Sequence, residues 1–279
     1  MSIQSDTGES QTETSSGCPL HSLINWKATE SRGSRVLILG FGLVAYVAFF
    51  AVILYSIGFV AGFLVPKDID AGTEGALLPS LVINGLMLSV FVVQHTIMAR
   101  PRFKLWLSGV LPIAVERSIF VLFSSVILAG TFWLWKPLPE VVWQVENSLA
   151  VNAIYGIAAI GWVIVFASTF MINHFDLFGL RQVLINASGK DYHPLPFQKV
   201  WLYRFVRHPL MFGFILAFWA APVMSVGHLF FAIMTTGYIV FGTWIEERDL
   251  VAAFGDGYRS YQREVRGLLP IPKFGKKGN

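Results

Sequence analysis

Between Val36 and Val65 the chain runs for thirty residues without a charged side chain. At 1.5 Å per residue that run is longer than a bilayer's hydrocarbon core, about 30 Å thick, requires of a helix. Ala76 to Ala99 carries only His95, and neither Ser118 to Trp135 nor Asn147 to Asn173 carries a charge. Pro209 to Ile245 follows, thirty-seven residues with His228 as their titratable group and Ala221-Pro222 and Gly227 near the middle. Proline removes a backbone donor, so this last run reads as a hairpin of two short crossings. The chain is expected to be an all-α, polytopic integral membrane protein with five to six transmembrane helices, including a C-terminal helical hairpin. Composition agrees, since 54% of the 279 residues are hydrophobic and 14% charged, against a charged share near 25% in soluble globules.

The charged segments fall on alternate sides of these runs. One face receives Lys27, Arg32, Arg35 and the stretches 100–117, 174–208 and 246–279. The other receives 66–75, 136–146 and the hairpin tip. The 21 Lys and Arg then divide as 19 against 2, the two being Lys67 and Lys136. The positive-inside rule makes the first face cytoplasmic and places both termini there, in an inner (cytoplasmic) membrane protein. The same division explains the net charge of +4. With no basic stripe interleaved with aromatics outside the apolar runs, a nucleic-acid partner is excluded.

Residues 1–17 hold eight Ser and Thr and almost nothing apolar, so residues 1–20 are expected to be a disordered polar tail. Residues 21–146 then form an N-terminal region of three spans, and 147–279 a core of fourth span, cytoplasmic loop, hairpin and tail. Cys18 is the single cysteine, which excludes an internal disulfide and a Cys-x-x-Cys redox pair. The histidines at 95, 174, 193, 208 and 228 show no i, i+4 pairing, and no metal site is assigned. Gly40-Phe-Gly42-Leu-Val-Ala45 matches a dinucleotide fingerprint in letters only, because it lies inside an apolar span instead of a βαβ unit. Together with Gly58-x-x-x-Gly62 it reads as small-residue helix packing.

Ionisable groups at membrane depth are costly and point to function. His95, Glu116, Arg117, His174, Asp176, Arg181, His208, Glu246 and Glu247 all fall at span ends on the cytoplasmic face. The most informative stretch is Tyr203 to Pro270. It opens with Tyr203-Arg204-Phe205-Val206-Arg207-His208-Pro209 and Gly213, passes through the hairpin, and emerges at Glu246-Glu247, Leu250, Phe254-Gly255, Tyr258 and Tyr261. Two guanidiniums, an imidazole and a phenol thus precede a proline that suits a helix start, where free backbone N–H groups favour anions. The paired glutamates lie on the same face. A zwitterionic ligand with a carboxylate, a ribose diol and a positive centre finds complementary groups in both.

This stretch resembles the membrane methyltransferases of the isoprenylcysteine carboxyl methyltransferase type, whose signature is R-H-P-x-Y-x-G, an apolar hairpin, then E-E-x-x-L-x-x-x-F-G-x-x-Y-x-x-Y. Met211 stands where that signature has tyrosine. Gln94 to Pro101 and Asn173 to Gln182 are similar to the methanethiol S-methyltransferases, relatives of the NnrU-type membrane proteins. The resemblance implies methyl transfer from S-adenosylmethionine to a small thiol, methanethiol giving dimethyl sulfide. It further implies cofactor contacts from Tyr203, Arg204, Arg207, His208, Pro209, Gly213, Glu246, Glu247, Tyr258 and Tyr261. Methyl transfer to a lipid or prenylcysteine carboxylate is the nearest alternative, and a non-enzymatic NnrU-like transporter or assembly protein the next.

Transfer from a sulfonium to a thiolate annihilates charge, so a water-poor pocket favours it. A neutral alkyl thiol, with a pKa near or above about 8.5, must first lose its proton. His174 with Asp176 close by is expected to supply a base and its orienter, with Arg181 or His95 holding the thiolate. The pairing requires that the fourth span end before Asp176, because residues two apart on a helix do not face each other.

Overall fold

The computed structural model describes residues 26–195 and 199–270. The polar tail expected over 1–20, with Cys18, lies outside them. Nine α-helices occur among the described residues: α1 Arg32–Ala61, α2 Leu77–Met98, α3 Pro101–Ser108, α4 Glu116–Leu134, α5 Ser148–Met171, α6 His174–Leu177, α7 Leu180–Ala187, α8 Pro209–Trp219 and α9 Val226–Glu264. Five are long and apolar enough to cross a membrane: α1, α2, α4 with its preceding 3₁₀ turn, α5 and α9. The short α8 rises only about 16 Å, half a hydrocarbon core. Long apolar side chains such as Leu37, Val44, Trp133 and Val163 point outward, as lipid-facing positions require.

Side-chain and backbone pairing gathers alternate connections at one end. Asn84 is fully buried and clasps Lys136 from both sides, Nδ2 donating to the Lys136 carbonyl at 2.7 Å and Oδ1 accepting from its N–H at 2.8 Å. The Trp135 indole donates to the Ile69 carbonyl at 3.1 Å. Strand β1, Val141–Gln144, pairs antiparallel with β2, Val223–Ser225, and the Ser225 hydroxyl donates to Asp70 Oδ1 at 2.5 Å. The stretches 66–75, 136–146 and the hairpin tip therefore meet, as the alternation of charge predicts. The small sheet departs from the all-helical expectation, because a polar connection carries no alternation strong enough to announce a strand.

Two close approaches lock the helices. A Cβ on Gly161 of α5 would lie 2.8 Å from the Gly213 carbonyl oxygen and 2.7 Å from the Ala217 nitrogen, so α5 and α8 cross backbone to backbone. Gly42 makes room for the Val183 side chain of α7, while a Cβ on Gly40 would meet nothing within 4 Å, so one glycine of that motif packs against a helix and the other does not. Gly58 and Gly62 instead close the end of α1. Gly62 sits at φ 72° and donates to the Gly58 carbonyl at 3.0 Å, a helix C-cap and not a helix–helix contact.

Helix α9 sets the other end of the molecule. From Val226 to Glu246 it rises about 30 Å, which brings Glu246 and Glu247 to the opposite boundary of the apolar layer. At Gly255 the backbone turns to φ 54° and ψ −131°, a conformation that side-chain-bearing residues adopt only with strain. The bend sends Tyr258 and Tyr261 back toward residues 203–207, where both rings are buried.

Candidate active site

Residues 206–208 are extended because Pro209 at the first turn of α8 disfavours helix in the residue before it. That extended segment accepts the returning tail as a parallel partner. The Arg207 N–H donates to the Arg266 carbonyl at 2.8 Å and the His208 N–H to the Gly267 carbonyl at 3.0 Å. Arg207 grips Glu247 Oε1 through Nε at 2.6 Å and Nη2 at 2.5 Å, while Nη1 donates to the Gln262 carbonyl at 3.2 Å and to that of Val265. Gln262 donates to Glu247 Oε2 at 3.0 Å. The His208 ring nitrogen Nε2 lies 3.0 Å from Glu247 Oε1, and an ionised carboxylate makes that nitrogen the donor. Arg207 and Glu247 thus spend themselves on one another and on the tail, and act as a clasp.

Glu246 is differently placed. Its side chain keeps 49% of its surface accessible, so its carboxyl group is open to a ligand. His208 Nδ1 stands 3.7 Å from its Oε2, beyond hydrogen-bond length. Both groups retain bonding capacity toward whatever enters. Arg100 and Asp249, paired at 2.6 Å, lie within electrostatic reach of the same carboxylate, and so does Tyr203. Burial pushes the Tyr203 phenol well above its usual range, so it serves as a neutral hydroxyl, 3.5 Å from the Ser168 carbonyl.

The structure brings together Tyr203, Arg207, His208, Pro209, Glu246, Glu247, Tyr258 and Tyr261 from the sequence-predicted cofactor set. Tyr261 supports the others from behind, its hydroxyl donating to the Tyr203 carbonyl. Two members of the set are elsewhere engaged. Arg204 is exposed and donates through Nε to the Lys199 carbonyl at 3.2 Å. Gly213 is consumed by the α5–α8 crossing, because a glycine spaced like a ligand contact serves equally well where two backbones must touch.

His95 meets α9 at Tyr238. Its Nδ1 is 2.6 Å from the Tyr238 hydroxyl, and its ring lies between Phe91 and Phe120 at centroid distances of 5.4 and 4.8 Å. Tyr238 is within reach of both Arg100 and Glu246. Among the described residues no hydrogen bond reaches His95 Nε2.

His174 and Asp176 do not form the expected pair. The Thr169 hydroxyl donates to the Phe166 carbonyl at 2.7 Å, so its oxygen accepts from His174 Nδ1 at 2.8 Å, and Nε2 then accepts from the Tyr46 hydroxyl at 2.8 Å. Both nitrogens are engaged. The ring stacks on Phe170 at 4.4 Å and meets Phe178 at 4.9 Å. Burial holds its pKa below the usual 6.5, which keeps it neutral. Asp176 Oδ1 instead accepts from Arg181 at 2.8 Å and from the Tyr192 hydroxyl at 2.9 Å. Burial and that carboxylate push Tyr192 up to about 12. The separation arises because Asn173, at φ 84°, ends the fourth span and caps Asp176 N at 3.0 Å, turning the two side chains to different partners.

Relatives of this arrangement are known by sequence. The chain is 49% identical to Methanethiol S-methyltransferase 1 of Bradyrhizobium diazoefficiens over 88% of its own length and 86% of that protein. It is 47% identical to the Methanethiol S-methyltransferase of Mycobacterium tuberculosis over 85% of its own length and 98% of that protein. The chain belongs to the methanethiol S-methyltransferase family. No family model and no solved structure matches it. Nurim of Sus scrofa is similar at 25% identity over 63% of the chain and 70% of that protein, so the wider group reaches beyond the methanethiol S-methyltransferases.

Several residues that shape the site in this member of the methanethiol S-methyltransferase family went unmarked in the sequence. Tyr238 sits mid-run in an apolar helix, and no spacing ties it to His95, 143 positions earlier. Tyr46 and Thr169, which fix the His174 ring, are single polar groups within spans. Gln262 followed the E-E signature closely enough to be found, at one turn beyond Tyr258.

Proposed function

We propose that this methyltransferase moves a methyl group from S-adenosylmethionine to methanethiol, yielding dimethyl sulfide, at the recess bounded by His208, Glu246, Tyr238 and His95. When bound, S-adenosylmethionine supplies a methyl group activated by its sulfonium charge. The side chains present fit such a donor. Glu246 offers an open carboxylate to a ribose diol or to positive charge, His208 Nδ1 retains capacity beside it, and Tyr203 adds a neutral hydroxyl. The Arg207–Glu247 clasp holds the returning tail behind them and is neutral as a pair.

The acceptor side falls to His95 and Tyr238. In the tautomer that donates Nδ1–H to the Tyr238 oxygen, Nε2 of His95 carries a lone pair that can take the thiol proton, a general-base role worth about 10²–10⁴ in rate. Apolar rings around it keep water away from the nucleophile, which favours a charge-annihilating transfer. His174 has both nitrogens committed, and its role is to brace the end of α5. What supports this reading is the pair Glu246 and His208, with capacity to spare, linked through Tyr238 to an imidazole with one free nitrogen. The excess of Lys and Arg on the connections at this end supports a cytoplasmic opening, where a charged donor is available, while a small apolar thiol arrives through the lipid.

The test is a headspace measurement of dimethyl sulfide from membranes given methanethiol and S-adenosylmethionine, with a prenylcysteine as competing acceptor. Dimethyl sulfide that depends on both substrates is the expected result. Methylation of the prenylcysteine alone would overturn the choice of acceptor.

A further inference from the structure

A hollow of about 120 Å³ is lined by Lys104, Glu116, Arg117, Asp176, Gln182 and Tyr192. It exists because Gly179, at φ 86°, lets the α6–α7 turn press against the start of α4; a Cβ there would stand 2.9 Å from Ser118 Oγ. Groups on both sides of this contact face the hollow with bonding capacity unused.

The unused acceptors are clear from geometry. Gln182 Nε2 donates to the Asp176 carbonyl at 3.0 Å, which fixes the amide's orientation and turns Oε1 away. That oxygen is buried with no donor among the described residues. Asp176 takes both of its side-chain partners on Oδ1, leaving Oδ2 free of hydrogen bonds among them. The unused donors lie opposite. Arg117 makes no hydrogen bond or ion pair among the described residues, its guanidinium resting 5.9 Å from the Phe120 ring. Lys104 Nζ is 3.6 Å from Glu116 Oε1, a loose pair. Burial, then Arg117, pushes the Lys104 ammonium down to about 8 against the opposing pull of Glu116.

Asp176 is already paired with Arg181, so Lys104 and Arg117 face Glu116 alone, and a ligand must bring a carboxylate to meet them in this poorly hydrated space. An anion alone would leave Gln182 Oε1 without a donor. A cation alone would sit against Arg117 and Lys104. We propose that this hollow binds a small zwitterionic amino acid, its carboxylate taken by Arg117 and Lys104 and its ammonium by Gln182 Oε1 and the carboxylates of Asp176 and Glu116. Trp26 and Ile113, also on the wall, receive a short side chain. Phe120, between Arg117 and the His95 ring, makes the hollow a neighbour of the proposed methyl-transfer site, and amino-acid binding there does not depend on the identity of the methyl acceptor.

Calorimetry on the full chain in lipid nanodiscs, titrated with glycine, L-alanine, acetate and methylammonium, tests this. Saturable binding of the two amino acids is expected, with acetate and methylammonium weaker by roughly tenfold or more. Arg117→Gln and Gln182→Leu should each weaken amino-acid binding by about tenfold while S-adenosylmethionine still titrates, which shows that the variants are folded. Should either fail to fold, Lys104→Met provides the same comparison. No saturable binding of either amino acid at millimolar concentration, or acetate binding as well as glycine, would overturn the proposal. Displacement of glycine by S-adenosylmethionine would also overturn it, since the hollow would then be part of the donor recess. Failure of S-adenosylmethionine to bind the wild-type chain bears only on the proposed methyl donor.

Discussion

Arg207 and Glu247, forty positions apart, meet through two contacts of 2.5 and 2.6 Å, and that pair decides where the chain after Gly255 lies. The guanidinium's remaining donors reach the Gln262 and Val265 carbonyls. The side chains keep only 10% and 19% of their surface, so neither charge can fall back on water.

Removing one partner of such a pair strands the other, at a cost of about 3–5 kcal/mol. Glu247→Ala and Arg207→Ala should therefore lower the thermal midpoint in detergent and abolish donor binding together. The double change Arg207→Met with Glu247→Leu should recover most of the stability without restoring the binding, because His208 then lacks its orienting carboxylate. Single variants with the wild-type midpoint would refute the clasp.

Glu246 should behave in the opposite way. Its carboxylate makes no short hydrogen bond in the fold, so Glu246→Gln should leave the midpoint within about 2 °C of wild type. A hydrogen bond to a charged group contributes about 1.5–3 kcal/mol, so KM for the donor should rise roughly ten- to hundredfold. Steady-state kinetics with varied donor read this directly, and an unchanged KM would remove Glu246 from the recess wall.

His95→Ala should lower kcat by about 10²–10⁴ while donor affinity by calorimetry stays near wild type. Tyr238→Phe, which takes away the partner of Nδ1, should fall between the two. A larger loss of kcat in His174→Ala than in His95→Ala, at equal stability, would reverse the assignment.

His174 should reveal itself through stability. Its folded pKa lies below the ordinary 6.5 because burial penalises the charged ring, so the unfolded chain binds a proton that the folded one refuses. The contribution is present above 6.5 and is lost as pH falls below that value toward the folded pKa. Thermal midpoints at about pH 7.5 and about pH 5.5 should differ less in His174→Phe than in wild type. An equal drop in both proteins would contradict a neutral, caged ring.

The spans were legible because a charge in hydrocarbon is so costly that uncharged runs mark the crossings almost residue by residue; Asn147 to Asn173 became α5, Ser148–Met171. The meeting of His208 with Glu246 and Glu247 was legible too, since a hairpin must return its second arm to the side it left. What was hidden turns on single rotations. One step along a helix separates Glu247, turned into the clasp, from Glu246, turned to the recess, and no sequence pattern distinguishes adjacent glutamates. The His174–Asp176 pairing failed for a similar reason, since the left-handed Asn173 that ends the span gives each side chain its own set of partners. Gly213 shows the limit of motif spacing, because the same absence of a side chain suits a ligand or a neighbouring helix.

The strand pair β1–β2 and the Ser225–Asp70 contact rivet the hairpin at its tip. The Arg207–Glu247 clasp fastens the same hairpin at its other end, so α8 and α9 are tied at both. The two ties stand some 30 Å apart along α9, so a change at Asp70 that slackens one should be felt at the other as a change in the pace of turnover.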